Sequence, residues 1–356
     1  MSVGAVALPS IGSVCASAVT VAVCTHDRPD KLERLLQSLM CQTRQPRVVL
    51  VVDNAPSTDA TEMLVRRFSA VAYVREAVPG LDFARNRALR ESDSEIVAYV
   101  DDDAVVAEDW VASIASVFNE SPAIGVCTGK VDALTMATEG ARLFEASGGF
   151  SRGDRRLHLP PGAGARPPGL PRPTAAWAFS VGAGVSLAVR RRFALELGGF
   201  DEALDMGAVL PGGGDCDMIW RMLEAGHEVV YEPRVRARHE HREDRQGAEK
   251  QILGYGRATV ATLTKFVGVA PWRRKPPAAA LLAWRLVKPV VRIPRRFFGR
   301  DPLPASLLAR LVLDSWRGLF AYPQALRLAA ARRREFGPGN VATQTGPPAL
   351  GLSEES

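Results

Sequence analysis

No run of eighteen consecutive apolar residues occurs in this chain of 356, so no segment has the composition of a membrane-spanning helix. Cysteine is scarce: Cys15, Cys24, Cys41, Cys127 and Cys216 are scattered, with no C-x-x-C pair among the five. That scatter favours buried free thiols in a reducing compartment over both a disulfide framework and a thiolate zinc site. No Lys or Arg precedes the apolar part of residues 1–18, so this stretch lacks the charge of a secretory signal. It is expected to be a disordered lead-in, with the protein remaining in the cytoplasm. No Gly-X-Y period runs through the glycines and prolines, which excludes collagen, and 47% hydrophobic with 24% charged residues excludes a disordered chain.

What is present is unevenly placed. Residues 271–340 hold fifteen Lys and Arg against three Asp and Glu, whereas residues 1–270 hold thirty against thirty-four. A mildly acidic body argues against nucleic acid as a partner; a basic C-terminal segment is suited to an anionic surface. Within that segment Leu307, Leu308, Leu311, Val312, Leu319 and Phe320 form one helical stripe, with Arg310, Asp314 and Arg317 on another face. Trp272, Trp284 and Trp316 lie among these basic residues. The pattern predicts an interfacial helix that docks residues 271–335 on the inner face of the plasma membrane, the competing expectation being a stripe that packs back on the body.

The first 130 residues alternate apolar runs with helix-period segments. Val19–Cys24 precedes a stripe of Leu32, Leu35, Leu36, Leu39 and Met40; Arg47–Val52 precedes a helix over Thr58–Phe68; Val71–Val74 precedes Asp82–Glu91; Glu95–Val100 precedes Asp109–Phe118. Apolar strands separated by helices predict an α/β fold, a mostly parallel sheet with helices on both faces. The Pro- and Gly-rich stretch 151–174 is expected to be a mobile loop. Four segments follow: the lead-in 1–18, a body over 19–266, a basic amphipathic helical region over 267–340, and a disordered tail over 341–356.

Ligands of such sheets sit at the carboxyl ends of the strands. The fourth apolar run ends in Tyr99-Val100-Asp101-Asp102-Asp103. Adjacent carboxylates repel one another unless a cation sits among them, and strand alternation sends Asp101 and Asp103 to one side. Mg²⁺ or Mn²⁺ takes such oxygen ligands together with substrate phosphates. The alternative is a solvated acidic turn.

With this D-x-D as a fourth block, residues 19–266 resemble the family 2 glycosyltransferases, inverting enzymes of the Rossmann-like GT-A fold. The other blocks run in order. They are Val21-Ala22-Val23-Cys24-Thr25-His26-Asp27-Arg28-Pro29, Val51-Val52-Asp53-Asn54-Ala55-Pro56-Ser57-Thr58-Asp59 and Pro79-Gly80-Leu81 with Ala84-Arg85-Asn86. Gly199-Phe200-Asp201-Glu202 and Gly212-Gly213-Gly214-Asp215-Cys216-Asp217 follow. The resemblance implies a nucleoside-diphosphate sugar as donor, contacted by Thr25, Asp53, Arg85, Asp101 and Asp102, with Asp101 and Asp103 on the metal. It implies a hydroxyl acceptor: a glycan, a lipid-linked sugar or a natural product. Such transfer needs a base for the acceptor proton. Asp215 is the candidate, with an N-cap as its alternative role and Asp217 as the fallback. Gly214 stands where the family usually has Glu, which puts acceptor recognition in question. His239, in Arg238-His239-Glu240-His241, is the candidate third metal ligand, the other reading being a surface histidine. Gly182-Ala183-Gly184 reads as a tight loop beside the acceptor cleft, with Trp177 as either a sugar-stacking platform or core. Two competing functions remain: a nucleotidyltransferase of similar fold, disfavoured because Thr25–Pro29 has no glycine to cradle a triphosphate, and a catalytically silent sugar-nucleotide-binding relative.

Overall fold

Val19, Val21 and Val23 point to one side of the first strand, β1 (Val19–Thr25), and Ala22 to the other. The same division runs through β2 (Val48–Asn54) and β4 (Ile96–Val100), so each strand is buried on both faces. The structure is a computed structural model that describes residues 18–159 and 174–337; the lead-in 1–17, the middle of the Pro- and Gly-rich stretch at 160–173, and residues 338–356 lie outside the described residues.

One face of the sheet is covered by α1 (Pro29–Met40), α2 (Ala60–Val65) and α4 (Trp110–Glu120). The Leu stripe of α1 is the expected one: Leu32, Leu35, Leu36 and Leu39 are fully buried. The other face is covered by α3 (Leu81–Glu91), α7 (Arg191–Glu196), α8 (Gly214–Glu224) and the end of α9 (Arg245–Val269). The remaining strands are β3 (Val71–Glu76), β5 (Ala104–Val106), β6 (Ile124–Ala133), β7 (Leu157–Leu159), β8 (Ser186–Arg190) and β9 (Glu228–His239). Strand order is β3-β2-β1-β4-β8-β6-β9-β5, with β7 paired to β9.

The architecture is α/β as expected, with one difference. The β3-β2-β1-β4 half is parallel, but β8 runs antiparallel to both β4 and β6, and β5 and β7 run antiparallel to β9. A strand buried on both faces reads alike in either direction, so its apolar run cannot reveal the reversal. β7 also places part of the predicted loop in the sheet, Leu157 to Leu159 pairing with Tyr231 to Val229.

The basic segment forms two long helices, α10 (Lys275–Phe297) and α11 (Ala305–Phe336), which pack on α9 and on each other. The predicted free stripe is corrected here. Leu307, Leu308 and Leu311 are buried with Phe144, Ile252, Leu253 and Leu303, Asp314 is buried, and Phe320 is exposed. The stripe is therefore a core face, as the competing expectation had it. Among the described residues no helix is long and apolar enough to cross a membrane.

Candidate active site

The parallel register of β1 and β2 sets Thr25 beside Asp53, and β4 carries Asp101–Asp103 out of the sheet next to them. Thr25 Oγ1 donates to Asp102 Oδ2 at 2.7 Å, and Arg28 donates to Asp102 Oδ1 at 3.2 Å and to Asp103 Oδ2 at 3.4 Å. The middle carboxylate thus turns toward the loop after β1. Asp53 is fully buried; Tyr73 donates to its Oδ2 at 2.9 Å, and Oδ1 has no partner. Burial raises its pKa.

The outer two carboxylates converge as the strand alternation predicts. Asp101, Asp103 and His239 each bring a ligand atom within 4.8 Å of the others. His239 ends β9, which pairs with β5 directly after the acidic triplet, Ala104 opposite His239. His239 Nε2 lies 3.0 Å from Asp103 Oδ1. Behind it, His239 Nδ1 meets His241 Nδ1 at 3.1 Å, and His241 Nε2 meets Glu145 Oε1 at 2.7 Å. Burial and the neighbouring Asp103 charge push Asp101 up to about 6. Burial acts the same way on Asp103, but the bond and charge of His239, with Arg28 and Lys31, hold it down at about 2. Burial opposes protonation of His239, yet the Asp103 contact prevails and its pKa is raised. Two carboxylates and an imidazole, anchored from behind by further hydrogen bonds, are a donor set that suits Mn²⁺ or Mg²⁺.

Asp215 stands in the first turn of α8, after Gly213, whose φ of 115° is in the region that favours glycine. The N–H of Gly184 donates to Asp215 Oδ2 at 2.7 Å and that of Cys216 to Oδ1 at 2.8 Å, so both oxygens are held. Gly184 is crowded: a side chain there would begin 2.8 Å from Arg85 and 3.3 Å from Asp215. The glycine loop read from the sequence therefore does border Asp215.

Arg85 is buried, and its guanidinium donates to Asp82 at 2.8 Å and Asp205 at 3.4 Å. Asp205 also accepts from the Gly214 N–H at 2.7 Å. A Cβ on Gly214 would stand 2.0 Å from Asp82 Oδ2 and 2.6 Å from Asp205 Oδ2. The space beside residue 214 is thus filled by two other carboxylates, which accounts for glycine where the family usually has Glu. Burial, then the Asp205 charge, raises the Asp82 pKa well above the carboxylate range. Neither Asp82 nor Asp205 was anticipated; the one sequence signal was Asp82 three residues before Arg85 on a helix, a spacing that lets the two meet.

Two cavities meet at this point. The smaller, about 410 Å³, is lined by Thr25, His26, Arg28, Asn54, Asp102, Asp103 and His239. The larger, about 480 Å³, is lined by Arg85, Gly184 and Asp215, with aromatic walls from Phe144, Phe150 and Phe179. Leu81, Asp101, Asp205 and Tyr255 line both. Asp53 lines neither and sits one layer behind the smaller. The basic helices contribute Arg285, Lys288 and Arg292 to the larger cavity and Arg332 to the smaller.

Two open alternatives are decided here. Of the two roles left to Trp177, core is the observed one: it is 3% exposed within the second core cluster, and Phe179 takes the aromatic place on the cavity wall. Asp217 is fully buried and committed to Arg221 at 2.7 Å and to Lys265, which leaves no carboxylate oxygen for a substrate.

Comparison with known proteins bears on the fold and the family. The model of Glycosyl transferase family 2 matches residues 20–162, which span β1 to β7 and include the acidic triplet. Pre-mycofactocin glycosyltransferase of Mycobacterium tuberculosis is 25% identical over 339 residues, or 90% of this chain and 65% of that protein. The chain therefore spans about 65% of the length of that curated relative. Glycosyltransferase GlyA of Streptococcus pneumoniae is 30% identical over 100 residues, 27% of this chain and 14% of its own length. Among solved structures, the mannosyltransferase PcManGT of Pyrobaculum calidifontis, determined with GDP-Man and Mn²⁺, shares the fold at a TM-score of 0.53 and 22% identity, covering 90% of this chain and 88% of its own. The chain thus has a GT-A architecture, and its N-terminal portion, residues 20–162, is similar to glycosyltransferase family 2.

Proposed function

We propose that the chain is an inverting glycosyltransferase that moves a sugar from a nucleoside-diphosphate donor to an acceptor hydroxyl, using Mg²⁺ or Mn²⁺. One observation carries the reading: the metal-capable triad lines one cavity, Asp215 lines the other, and Asp101 belongs to both walls. The smaller cavity takes the nucleotide, with Thr25, Asp102 and Arg28 at the end of β1. Asp53, expected on the donor, lines neither cavity and is given no direct contact with it, whereas Arg85, clamped by Asp82 and Asp205, is assigned to the phosphate and sugar end. Asp101, Asp103 and His239 would hold the ion, which neutralises charge growing on the departing diphosphate.

The acceptor enters the larger cavity. Asp215 takes its hydroxyl proton, and the two backbone N–H groups keep that carboxylate oriented for the transfer. One base and no protein nucleophile give a single displacement, which inverts the anomeric centre, by the geometric logic that separates glycosidases. Asp215→Asn keeps size and shape but removes the base. Turnover of a donor panel with Mn²⁺ should fall by about 10²–10⁴-fold with donor affinity unchanged. Undiminished turnover would reject the assignment. Release of pyrophosphate instead of nucleoside diphosphate would favour the nucleotidyltransferase reading, and binding without turnover the silent one.

The outer faces of α10 and α11 are proposed to rest on an anionic membrane surface. Trp284 (51%) on α10, Phe298 (78%) directly after it, and Trp316 (52%) and Phe320 (76%) on α11 are exposed in a segment rich in Arg. Apolar side chains beside cationic ones match a lipid interface of negative charge.

A further inference from the structure

The wall of the larger cavity opposite in character to Asp101, Asp205 and Asp215 is cationic. Arg285, Lys288 and Arg292 recur at i, i+3 and i+7 on α10, one helical face, and all three line the cavity together with Arg152 from the segment before β7. These four cations are not equally compensated. Arg292 is held bidentately by Asp301 at 2.6 and 3.0 Å, and the Arg285 guanidinium lies over the Phe179 ring, 5.5 Å from its centroid. Lys288 makes no salt bridge among the described residues, although it is only partly exposed. Burial, then the charges of Arg285 and Arg292, lowers its pKa; the Asp301 carboxylate acts weakly the other way. Arg152 likewise has no carboxylate partner among the described residues. Its Nη1 donates to the carbonyls of Gly149 and Ser151, both at 3.2 Å, and its Nε is buried with no partner at all.

A desolvated cation without a counter-charge is costly, and two that share one cavity with two more are costlier. A bound anion relieves both. We infer that the larger cavity binds an acceptor bearing an anionic group, a phosphate or a carboxylate, which Lys288 and Arg152 hold while the acceptor hydroxyl faces Asp215. The inference rests on the reading of this cavity as the acceptor's. It deepens that reading by giving the acceptor's charge class. It also gives α10 two roles: Lys288 and its neighbours face the cavity while Trp284 and Val287 face outward.

The test is binding rather than turnover, so that it fails separately from the catalytic assignment. The full chain, free of divalent ions, is titrated by calorimetry with inorganic phosphate, acetate, decyl phosphate and uncharged decyl maltoside. Phosphate or acetate should bind, with affinity at least about tenfold weaker in Lys288→Ala and in Arg152→Ala and largely restored in Lys288→Arg; tenfold corresponds to about 1.4 kcal/mol. Decyl phosphate much tighter than inorganic phosphate identifies a lipid acceptor, and equal affinities a soluble one. Binding that survives both alanine variants, binding lost in Arg28→Ala but not in Lys288→Ala, or preference for the uncharged probe would each overturn the inference. Melting temperatures of the variants within a few degrees of the parent exclude unfolding as the cause.

Discussion

Gly214→Ala adds one methyl group at the most crowded point of the site. Its carbon would start 2.0 Å from Asp82 Oδ2 and 2.6 Å from Asp205 Oδ2, where ordinary C···O contacts lie at about 3.3–3.6 Å. Asp82 would have to retreat by more than an ångström. It cannot do so freely, because its Oδ1 accepts from Arg85 at 2.8 Å and its side chain is fully buried. Overpacking costs about 1–3 kcal/mol, and disrupting a buried ion pair about 3–5 kcal/mol when one partner is left behind. Partial adjustment of both places the expected loss at about 2–4 kcal/mol. Because Gly214 lies in the first turn of α8 with ordinary helical backbone, no backbone strain adds to this. Urea denaturation of Gly214→Ala, Asp82→Ala and the double variant reads the coupling directly. The double variant should be less destabilised than the sum of the singles by about 1 kcal/mol or more, since truncating the Asp82 side chain vacates the space that the added methyl needs. A Gly214→Ala protein within about 0.5 kcal/mol of the parent would refute the argument that these carboxylates are fixed. Gly214→Glu, which restores the family's usual residue, should for the same reason lose activity rather than gain it.

Two further outcomes follow from the basic helices. Truncation after Lys265 removes the last residues of α9, including the buried Phe266, together with α10 and α11 and the burial of Leu307, Leu308 and Leu311, at about 1.5–3 kcal/mol each as an upper bound. That is comparable to the whole stability of a domain. The truncated chain should lose cooperative melting; a folded and active product would contradict the packing. The quadruple variant Trp284→Ser, Phe298→Ser, Trp316→Ser and Phe320→Ser should keep its melting temperature while losing co-sedimentation with phosphatidylserine vesicles at low salt. Equal sedimentation of parent and variant would remove the membrane proposal.

Much of the proposed donor side was legible in the chain because it is local. The continuous apolar runs of β1, β2 and β4, the Leu stripe of α1 and the Asp101–Asp103 spacing all lie within a few residues, where strand and helix periods govern. The other side was less so because it is assembled by long-range packing. Nothing near Gly214 signals that Asp82 and Asp205 fill its neighbourhood, and nothing in the Leu stripe of α11 says whether a lipid surface or Phe144 and Ile252 covers it. Trp177 stayed open between two roles for the same reason: an aromatic beside a glycine loop reads alike whether it faces a cavity or the core. Asp217, two residues from Asp215, shows how a helical turn separates adjacent carboxylates, one facing the cavity and the other buried against Lys265.

The central claim is that Asp101, Asp103 and His239 form one divalent-ion site that a nucleoside diphosphate completes. Mn²⁺ binding to the full chain, followed by electron paramagnetic resonance with and without UDP, GDP or dTDP, tests it directly. Because Asp101 titrates at about 6 and the His239 pKa is raised, protons compete with the ion, so affinity should fall as the pH drops from about 7.5 to about 5.5. One of the nucleotides should tighten Mn²⁺ binding, and Asp103→Ala and His239→Ala should each weaken it by about tenfold or more, with the fold intact. Mn²⁺ binding that is equal in the parent and in both variants, and indifferent to every nucleotide, would contradict the account.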